Sequence, residues 1–361
     1  MKVLMVCGTR PELIRLSETI KKLDMYTDHI LVFTAQSYDY EMSQIFFDEL
    51  GIRKPNYTLN VKADSLGKQV ANILSQCEEV MIKEKPDTVL VLGDTNSALS
   101  CYIAKRMGIR VIHMEAGNRC WSSKVPEEVN RRIIDHTADV NLCYTEHARR
   151  NLLREGLHPS GIFVIGSPLP EVYKVHKDNI ESSKILEQLE LEQGKYFLAS
   201  IHRDENVNEE KVLRSIMDSF NCLAIKYGIP VVLSTHPRTR NKISEFNIKL
   251  DSGVRLCKPF GLFDFIKLQK GAYCNLSDSG TINEDSAILH IPAVNVREVN
   301  ERPEVYDTGN IVMSGIETQS IIESVSLVTA QKIVREYPLE YKSTEFSIKA
   351  IRLIIGHHQY G

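Results

Sequence analysis

The chain has 361 residues, which is too long for one comfortable hydrophobic core and predicts two domains. Its composition, 43% hydrophobic and 25% charged residues, is ordinary for a soluble globular protein. The net charge of −3, from 44 basic and 47 acidic residues, argues against broad binding to nucleic acids or to membrane surfaces.

Short apolar runs alternate with helical stretches along the first part of the chain. The strands predicted there are 2–7, 29–34, 88–92, 110–114, 140–144 and 162–165. Runs such as Thr88–Leu92 are continuously apolar, which is typical of parallel strands covered on both faces. The polar segment 172–195 follows them, so we place a domain boundary near residue 170.

A second series of predicted strands follows this boundary, at 196–200, 230–234, 254–257, 272–276 and 292–296. The alternation of strands and helices predicts an α/β protein with two Rossmann-like, doubly wound domains that face a central cleft. The first domain is expected to span 1–170 and the second 171–342. A C-terminal helix, 343–357, has apolar residues at helical spacing and is expected to complete the first domain.

Polar and charged residues follow several of these strands. The runs are Cys7–Glu12, Gly93–Thr95 and His113–Gly117 in the first half, and Ser200–Arg203, Ser234–Arg238 and Ser277–Thr281 in the second. Ligands of open α/β sheets bind beyond the carboxyl ends of the strands. The pattern therefore indicates an enzyme that acts on a nucleotide-linked substrate.

The run Gly8–Glu12 connects the first strand to a helix. Gly8 allows a tight turn, and Pro11 suits a first helical position because its missing N–H would be unpaired there. Arg10 is then placed to pair with phosphate or carboxylate, although a surface arginine in an ordinary connector fits equally well. The first strand is not followed by GxGxxG, which disfavours an NAD-dependent enzyme.

The run Ser277–Thr281 also precedes a helix. Small hydroxyl residues with Gly280 at a helix N-terminus suit a diphosphate site, and Glu284 or Asp285 one turn later would accept hydrogen bonds from ribose hydroxyls. An ordinary serine or threonine N-cap explains the same residues without any ligand.

Three carboxylates are candidates for acid and base catalysis. Asp94 and Glu115 each follow a predicted parallel strand, and Glu127 follows Pro126 at the start of a helix. Carboxylates that converge on one cleft shift each other's pKa and can supply both an acid and a base. Acidic residues are also common in the first turn of a helix because of the helix dipole alone.

Histidines and cysteines form no recognisable metal-binding pattern. His202 ends a predicted strand, which favours a functional role, and the eight cysteines include no CxxC pair. We therefore expect no metal, no cofactor and no disulfide framework. The chain opens directly on a strand, and no apolar run approaches the ~20 residues of a membrane span, so we expect a cytoplasmic protein.

Six motifs are distributed over most of the chain: GTRPE at 8–12, GDT at 93–95, HMEAG at 113–117, PEEVNRR at 126–132, DSG at 278–280 and ERPE at 301–304. In order and spacing this set resembles the non-hydrolysing UDP-N-acetylglucosamine 2-epimerase family. The resemblance implies the GT-B arrangement of two domains, a homodimer, a UDP-2-acetamido sugar as substrate, and catalysis without NAD or metal.

Four finer runs, HMEAGNRC at 113–120, DHTAD at 135–139, STHPRTR at 234–240 and LSDSGT at 276–281, are similar to the UDP-N-acetyl-L-fucosamine synthase branch. Enzymes of that branch invert C2 of UDP-2-acetamido-2,6-dideoxy-L-talose for capsule or O-antigen synthesis. The resemblance therefore implies that product for this chain, with UDP-N-acetylglucosamine as the alternative substrate.

The resemblance also implies residue roles. Asp94, Glu115 and Glu127 would be the acid and base carboxylates, and His202 would contact the diphosphate or assist proton transfer. The substrate would be bound by Arg10, Arg15, Arg131, Phe263, Ser279, Gly280, Thr281, Glu284, Asp285 and Arg302. Among these, Arg10, Ser279 and Gly280 would hold the diphosphate, and Phe263 would lie near the uracil.

The chain departs from the family pattern at several positions. Arg15 stands where the family usually has lysine, Thr281 replaces a glycine, and Asp285 replaces a glutamate. Gln36–Asp39 replaces a QH run that contributes to a second, regulatory UDP-N-acetylglucosamine site in some members. These departures argue against such regulation and against a simple assignment of UDP-N-acetylglucosamine as substrate.

Three other functions are compatible with the same sequence. A GT-B glycosyltransferase would use a similar nucleotide site but needs an acceptor groove. A hydrolysing epimerase would release free sugar and UDP. A UDP-sugar sensor without catalysis is disfavoured, because binding an anion gains nothing from carboxylates at 94, 115 and 127.

Overall fold

The computed structural model describes residues 1–35, 46–122, 125–332 and 334–356. The chain divides into two compact units, Met1–Val175 with Lys342–Gly361, and His176–Tyr341. The boundary predicted near residue 170 falls inside the helix Leu169–Val175, which belongs to the first unit. The first unit is therefore built from two separate segments of the chain.

The first unit contains a parallel sheet. Within the described residues its seven strands lie in the order β3-β2-β1-β4-β5-β6-β7. They are β1 Lys2–Cys7, β2 Asp28–Phe33, β3 Tyr57–Thr58, β4 Thr88–Leu92, β5 Arg110–Met114, β6 Val140–Cys143 and β7 Ile162–Val164. The order reverses between β1 and β4, which pair directly from Val3 opposite Thr88 to Val6 opposite Val91. Ligands of doubly wound sheets bind beyond the strand ends at such a reversal.

Helices connect consecutive strands of this sheet. Among the described residues the connecting helices are Arg10–Tyr26, Leu66–Glu84, Ser100–Arg106, Glu127–Thr137 and Glu146–Arg154, and the helix Leu169–Val175 follows β7. Their ends carry the expected local signals: the hydroxyl of Ser65 accepts a hydrogen bond from the N–H of Lys68, and Lys85 ends the same helix in the left-handed conformation.

The C-terminal helix Phe346–Gly356 packs against the helix Arg10–Tyr26. The backbone N–H and the hydroxyl of Ser347 donate to the Glu171 carboxylate at 2.7 and 2.6 Å. Arg110 donates to the carbonyl oxygen of Ile354 at 3.0 Å. These contacts attach the last helix to the first unit.

The second unit repeats this plan. Within the described residues its six parallel strands lie in the order β10-β9-β8-β11-β12-β13, with the reversal between β8 and β11. They are β8 Phe197–Ser200, β9 Val231–Ser234, β10 Val254–Cys257, β11 Cys274–Ser277, β12 Ala293–Asn295 and β13 Val312–Met313. Its helices are Lys177–Ser182, Ile185–Gln188, Asp204–Val207, Glu210–Tyr227, Pro237–Glu245, Leu262–Gly271, Thr281–Leu289, Glu304–Asp307 and Thr318–Ala330.

Each unit has its own hydrophobic core. In the first, the apolar faces of β1, β2, β4 and β5 pack against helix residues such as Ile73 and Cys77. In the second, β8, β9 and β11 pack against residues such as Phe220 and Val325. No helix among the described residues combines the length and the apolar composition that crossing a membrane requires.

The prediction of two doubly wound parallel sheets is confirmed, and the predicted strands all form within two residues of their expected bounds. The sequence interpretation missed β3 and β13. Each is two residues long, lies at a sheet edge and keeps one exposed residue, so neither produces a continuous apolar run.

Candidate active site

Two loops meet at the strand reversal of the first unit, because β1 and β4 are neighbours. The carboxylate of Glu12 accepts hydrogen bonds from the backbone N–H groups of Gly8 and Thr9 at 3.0 and 2.7 Å, and from the Thr9 hydroxyl at 2.6 Å. Its other oxygen accepts a bond from the Thr95 hydroxyl at 3.1 Å. Glu12 therefore links the loop after β1 to the loop after β4.

Glu12 is buried, and this burial raises the pKa of its carboxyl to about 7 against the opposing effect of its hydrogen bonds from Thr9, Gly8 and Thr95. Sequence reasoning placed Glu12 in a motif without giving it a role. Its position in the first turn of a helix, three residues after Thr9, was the available signal of a capping box.

Two predicted substrate-binding arginines lie on the same helix. The guanidinium of Arg10 lies over the ring of Phe46, 4.8 Å from its centroid. Arg15 is buried, with its guanidinium 5.7 Å from the Tyr144 ring and its Nε 3.9 Å from Oε2 of Glu115. Arg15 therefore faces a predicted catalytic carboxylate.

Asp94 is held by Arg131. The Nη2 and Nε atoms of Arg131 donate to Oδ2 of Asp94 at 2.7 and 3.1 Å. Arg131 also donates from Nη1 to Glu128 at 3.1 Å, and Glu128 accepts bonds from the backbone N–H and thiol of Cys120. The predicted residue Glu127 lies half-buried in the first turn of the same helix. Sequence reasoning missed Glu128 as the carboxylate that shares Arg131 with Asp94.

Glu115 lies beside Gly93, the residue before Asp94, because β4 and β5 are neighbours. A Cβ atom added to Gly93 would lie 3.6 Å from Oε2 of Glu115. The Glu115 backbone adopts φ +67°, in the left-handed region that non-glycine residues rarely occupy. Such strain persists only where surrounding structure holds it, and it clusters at functional sites. The structure therefore places the loops of two of the three predicted catalytic carboxylates side by side.

A buried network lies directly behind these two loops. His113 on β5 contacts the carbonyl oxygen of Gly93 through Nε2 and Oδ1 of Asp135 through Nδ1, both at 2.8 Å. Asp135 also accepts bonds from the Gly117 N–H and from Nη1 of Arg119. Sequence reasoning singled out the motifs that contain His113, Arg119 and Asp135 but gave none of the three a role.

In the second unit, Asp278 organises the loop after β8. This buried carboxylate accepts bonds from the backbone N–H groups of His202 and Arg203, at 2.9 to 3.1 Å, and from the amide of Asn206 at 3.1 Å. The His202 ring nitrogen Nδ1 lies 3.3 Å from the same carboxylate, and the side chain stays 42% exposed. His202 is thus oriented and accessible.

The loop after β11 carries the predicted diphosphate residues. The N–H of Ser279 donates to the Ser277 hydroxyl at 3.1 Å, and the N–H of Thr281 donates to the Ser279 hydroxyl at 3.3 Å. These are local serine turns, and the N-cap of the following helix is Gly280, so the serine or threonine cap that the sequence also allowed does not form. A Cβ atom at Gly280 would lie 3.7 Å from Nη2 of Arg203, so this arginine reaches the same loop. Sequence reasoning did not select Arg203.

The predicted ribose and sugar residues are buried. Nε of Arg302 lies 3.0 Å from Oε2 of Glu284, and Asp285 accepts a bond from the amide of Gln269 at 2.8 Å. Phe263 packs its ring 5.1 Å from the ring of His176. The ribose, sugar and uracil contacts therefore stay predictions.

Among the described residues, no three His, Cys, Asp or Glu side chains are grouped as metal ligands would be. The prediction about a regulatory site at Gln36–Asp39 lies outside the described residues.

Two doubly wound parallel sheets, each with polar side chains at its strand reversal, together with the solved structures below, place the protein among GT-B-like α/β enzymes. The sequence profile described as UDP-N-acetylglucosamine 2-epimerase matches residues 21–354. A structure of UDP-N-acetylglucosamine 2-epimerase from Rickettsia bellii is 42% identical, with a TM-score of 0.92 over 99% of this chain and 96% of that one.

Two further relatives cover nearly the same length. UDP-GlcNAc 2-epimerase from Methanocaldococcus jannaschii, crystallised with UDP-GlcNAc and UDP, is 33% identical with a TM-score of 0.92 and covers 98% of this chain and 99% of that one. UDP-2,3-diacetamido-2,3-dideoxy-D-glucuronate 2-epimerase from Pseudomonas aeruginosa is 34% identical and covers 90% of this chain and 91% of that protein.

The chain belongs to the UDP-N-acetylglucosamine 2-epimerase family. The predictions of the family, of an isomerase and of a GT-B-like fold with two parallel-sheet domains are confirmed.

Proposed function

We propose that this protein inverts C2 of a UDP-2-acetamido sugar without hydrolysing it. The observation that carries the proposal is the pair of carboxylates, Asp94 and Glu115, at the ends of neighbouring strands, one held by Arg131 and the other beside Arg15. Inversion requires a base on one face of C2 and an acid on the other, and two carboxylates in different environments can fill these roles.

The chemistry dictates an elimination. The C2 proton has no adjacent ring carbonyl, so its simple removal would leave an unstabilised carbanion. When a carboxylate takes this proton as the C1–O bond breaks, the electron pair forms a C1–C2 double bond and UDP leaves as an anion. Return of UDP to C1 and of a proton to the opposite face of C2 gives the epimer.

Each group has a proposed task in this scheme. Asp94, Glu115 and Glu127 are the candidate proton carriers, and Arg131 orients Asp94. His202 and Arg203, both ordered by Asp278, together with Ser279 and Gly280 would bind the leaving diphosphate. Fixed donors that meet a developing negative charge stabilise it more than water does.

We further propose that the substrate is UDP-2-acetamido-2,6-dideoxy-L-talose and the product UDP-N-acetyl-L-fucosamine, for surface polysaccharide synthesis. This rests on the four finer motifs of the L-fucosamine branch. The named function of the Pseudomonas relative supports a family range wider than UDP-GlcNAc. The alternative, epimerisation of UDP-GlcNAc to UDP-ManNAc, is favoured by the names of the two solved structures.

Proton NMR in D2O tests both proposals with purified protein and each UDP-sugar in a separate tube. Deuterium at C2 with an intact UDP linkage is the expected result, and the UDP-sugar that incorporates deuterium faster is identified as the substrate. Free sugar and UDP accumulating together would indicate a hydrolysing enzyme. No exchange in either tube, despite UDP binding, would overturn the epimerase proposal in favour of a transferase or a sensor.

We also propose a homodimer, which the family resemblance implies. Sedimentation equilibrium measures this directly. A mass equal to one chain of 41.0 kDa at micromolar concentration would overturn it.

A further inference from the structure

We propose that the buried pair His113 and Asp135 is a positioning device that holds Asp94 and Glu115 in the relative geometry that proton transfer requires. Neither residue touches substrate in this proposal, so both act through the loops they bind. The inference rests on the proposed epimerase function and adds two residues that act behind its carboxylates.

The first half of the device is the contact from His113 to the loop of Asp94. His113 is fully buried on β5, and its Nε2 lies 2.8 Å from the carbonyl oxygen of Gly93. A carbonyl oxygen only accepts, so Nε2 carries a proton in this contact. Gly93 immediately precedes Asp94 and has φ +69°, a conformation that few residues other than glycine adopt. The imidazole thus fixes the turn from which Asp94 projects.

The second half is the contact from Asp135 to the loop of Glu115. Its Oδ1 and Oδ2 lie 3.2 and 3.3 Å from the Gly117 nitrogen. Gly117 packs closely on the neighbouring backbone, with no room for a side chain, because an added Cβ would lie 2.3 Å from the carbonyl oxygen of Ala148. Asp135 therefore ties down the residue two positions after Glu115, whose own backbone is held in the left-handed region.

The imidazole ring of His113 bridges these two halves. Its Nδ1 lies 2.8 Å from Oδ1 of Asp135, the carboxylate that also accepts from the Gly117 N–H. Nη1 of Arg119 donates to Oδ2 of Asp135 at 2.7 Å, and Nε of Arg119 donates to Glu155 at 2.7 Å, so the carboxylate of Asp135 is itself held in place. The loops of Asp94 and Glu115 are thus joined through one buried side-chain pair.

This bridge has a catalytic consequence because the proton carriers lie on the loops and not on the strands. A displacement of about 1 Å can cost on the order of 10²-fold in rate. Binding of UDP does not depend on this alignment in the proposed scheme. Its proposed ligands are residues of the second unit together with Arg10, and Arg10 lies after β1, outside the two loops that the bridge joins. Loss of the bridge should therefore lower kcat and leave the affinity for UDP unchanged.

Two variants test the bridge, Asp135→Asn and His113→Gln. Asp135→Asn keeps the size and shape of the side chain, so it is the less disruptive of the two. The matched control is His136→Gln: His136 is the next residue after Asp135 and contacts Glu155, but its side chain is 48% exposed. We expect kcat to fall by about 10²-fold in the two variants, with KM and the UDP Kd within about threefold of wild type. The control should keep wild-type kcat. Circular dichroism first establishes that each variant is folded.

Amide hydrogen exchange read by mass spectrometry gives a second readout that does not need activity. Peptides that cover 93–97 and 115–119 should exchange faster in Asp135→Asn than in wild type or in the control, while peptides of the second unit stay unchanged. Should His113→Gln not fold, Asp135→Asn carries both measurements.

The outcomes separate this inference from the proposed function. If the wild-type protein does not incorporate deuterium at C2 of the sugar, the proposed epimerase function is wrong. Faster amide hydrogen exchange of both loops in Asp135→Asn would still support the bridge. The bridge alone is overturned if the wild type is active and folded Asp135→Asn keeps both the wild-type kcat and the wild-type exchange rates of the two loops. A variant in which KM and the UDP Kd rise while kcat stays normal also overturns it.

Discussion

Arg131 places two nitrogens on a single oxygen of Asp94, with Nη2 at 2.7 Å and Nε at 3.1 Å from Oδ2. The guanidinium is rigid and planar, so this double contact fixes the position of that oxygen. The third nitrogen, Nη1, donates to Glu128 at 3.1 Å and anchors the arginine itself. Asp94 is thereby held by two nitrogens of a side chain that is anchored elsewhere.

The change Asp94→Asn should therefore remove proton transfer while keeping the shape of the site. We expect kcat to fall by about 10²–10⁴-fold, with the UDP Kd nearly unchanged, and the same for Glu115→Gln. Steady-state kinetics and calorimetric titration with UDP measure the two quantities. Asp64→Asn, at an exposed residue paired with Lys68, is the control. Near-normal turnover in both Asp94→Asn and Glu115→Gln would exclude the proposed roles.

Glu12 should make the stability of the protein depend on pH. Burial raises its pKa from 4.5 to about 7, so the folded state binds this proton more tightly than the unfolded state. The resulting stabilisation is fully present below about pH 4.5 and is lost as the pH rises through about 7, an effect of about 3 kcal/mol. Glu12→Gln should lack this loss.

Urea unfolding at pH 5 and pH 8 checks this prediction for wild type, Glu12→Gln and a control on the same helix, Glu18→Gln. The difference in unfolding free energy between the two pH values should be smaller in Glu12→Gln than in the other two proteins. Equal differences in all three would mean that Glu12 is not the group responsible.

Arg302 should stabilise the second unit by neutralising buried carboxylates. It lies 3.0 Å from Glu284, and its charge opposes the burial that raises the pKa of Glu304. Replacing it by methionine leaves both carboxylates buried without this cation, which should cost about 3–5 kcal/mol. The double variant with Glu284→Gln should recover part of this loss.

Chemical unfolding followed by fluorescence measures these effects. Glu210→Gln is the matched control, since Glu210 pairs with Arg214 on an exposed helix face and such pairs are worth about 0–1 kcal/mol. A loss in Arg302→Met no larger than that of the control would contradict a stabilising role for the buried pair.

The contact between Ser347 and Glu171 should hold the C-terminal helix in place. The Ser347 hydroxyl and N–H both donate to this buried carboxylate, at 2.6 and 2.7 Å. Glu171→Ala would leave both donors buried without their acceptor, at a cost of about 1–3 kcal/mol each. Ser182→Ala, at an exposed helix residue, is the control. Limited proteolysis should cleave the C-terminal helix faster in Glu171→Ala, and an unchanged rate would refute the anchoring role.

Much of the architecture was predictable from local patterns. Continuous apolar runs such as Thr88–Leu92 and Val231–Ser234 predict buried parallel strands, and their alternation with helices predicts doubly wound sheets. The carboxyl ends of these strands then indicate where Asp94, Glu115 and His202 lie. The two-residue strands β3 and β13 escaped prediction because pairing to a neighbour defines them, and no local pattern does.

The amino-acid sequence alone was enough to identify the family, the two-sheet fold and the strand ends that carry the candidate site, because these follow from short-range periodicity and ordered motifs. Only the tertiary structure decided which partners these residues take. Arg131 donates to Asp94 and Glu128, and His113 contacts both Gly93 and Asp135. In three of these four contacts the two residues are 20 or more positions apart in the sequence. Such pairings depend on strand order and on side-chain direction in a packed interior, and neither is encoded in any local stretch of the chain.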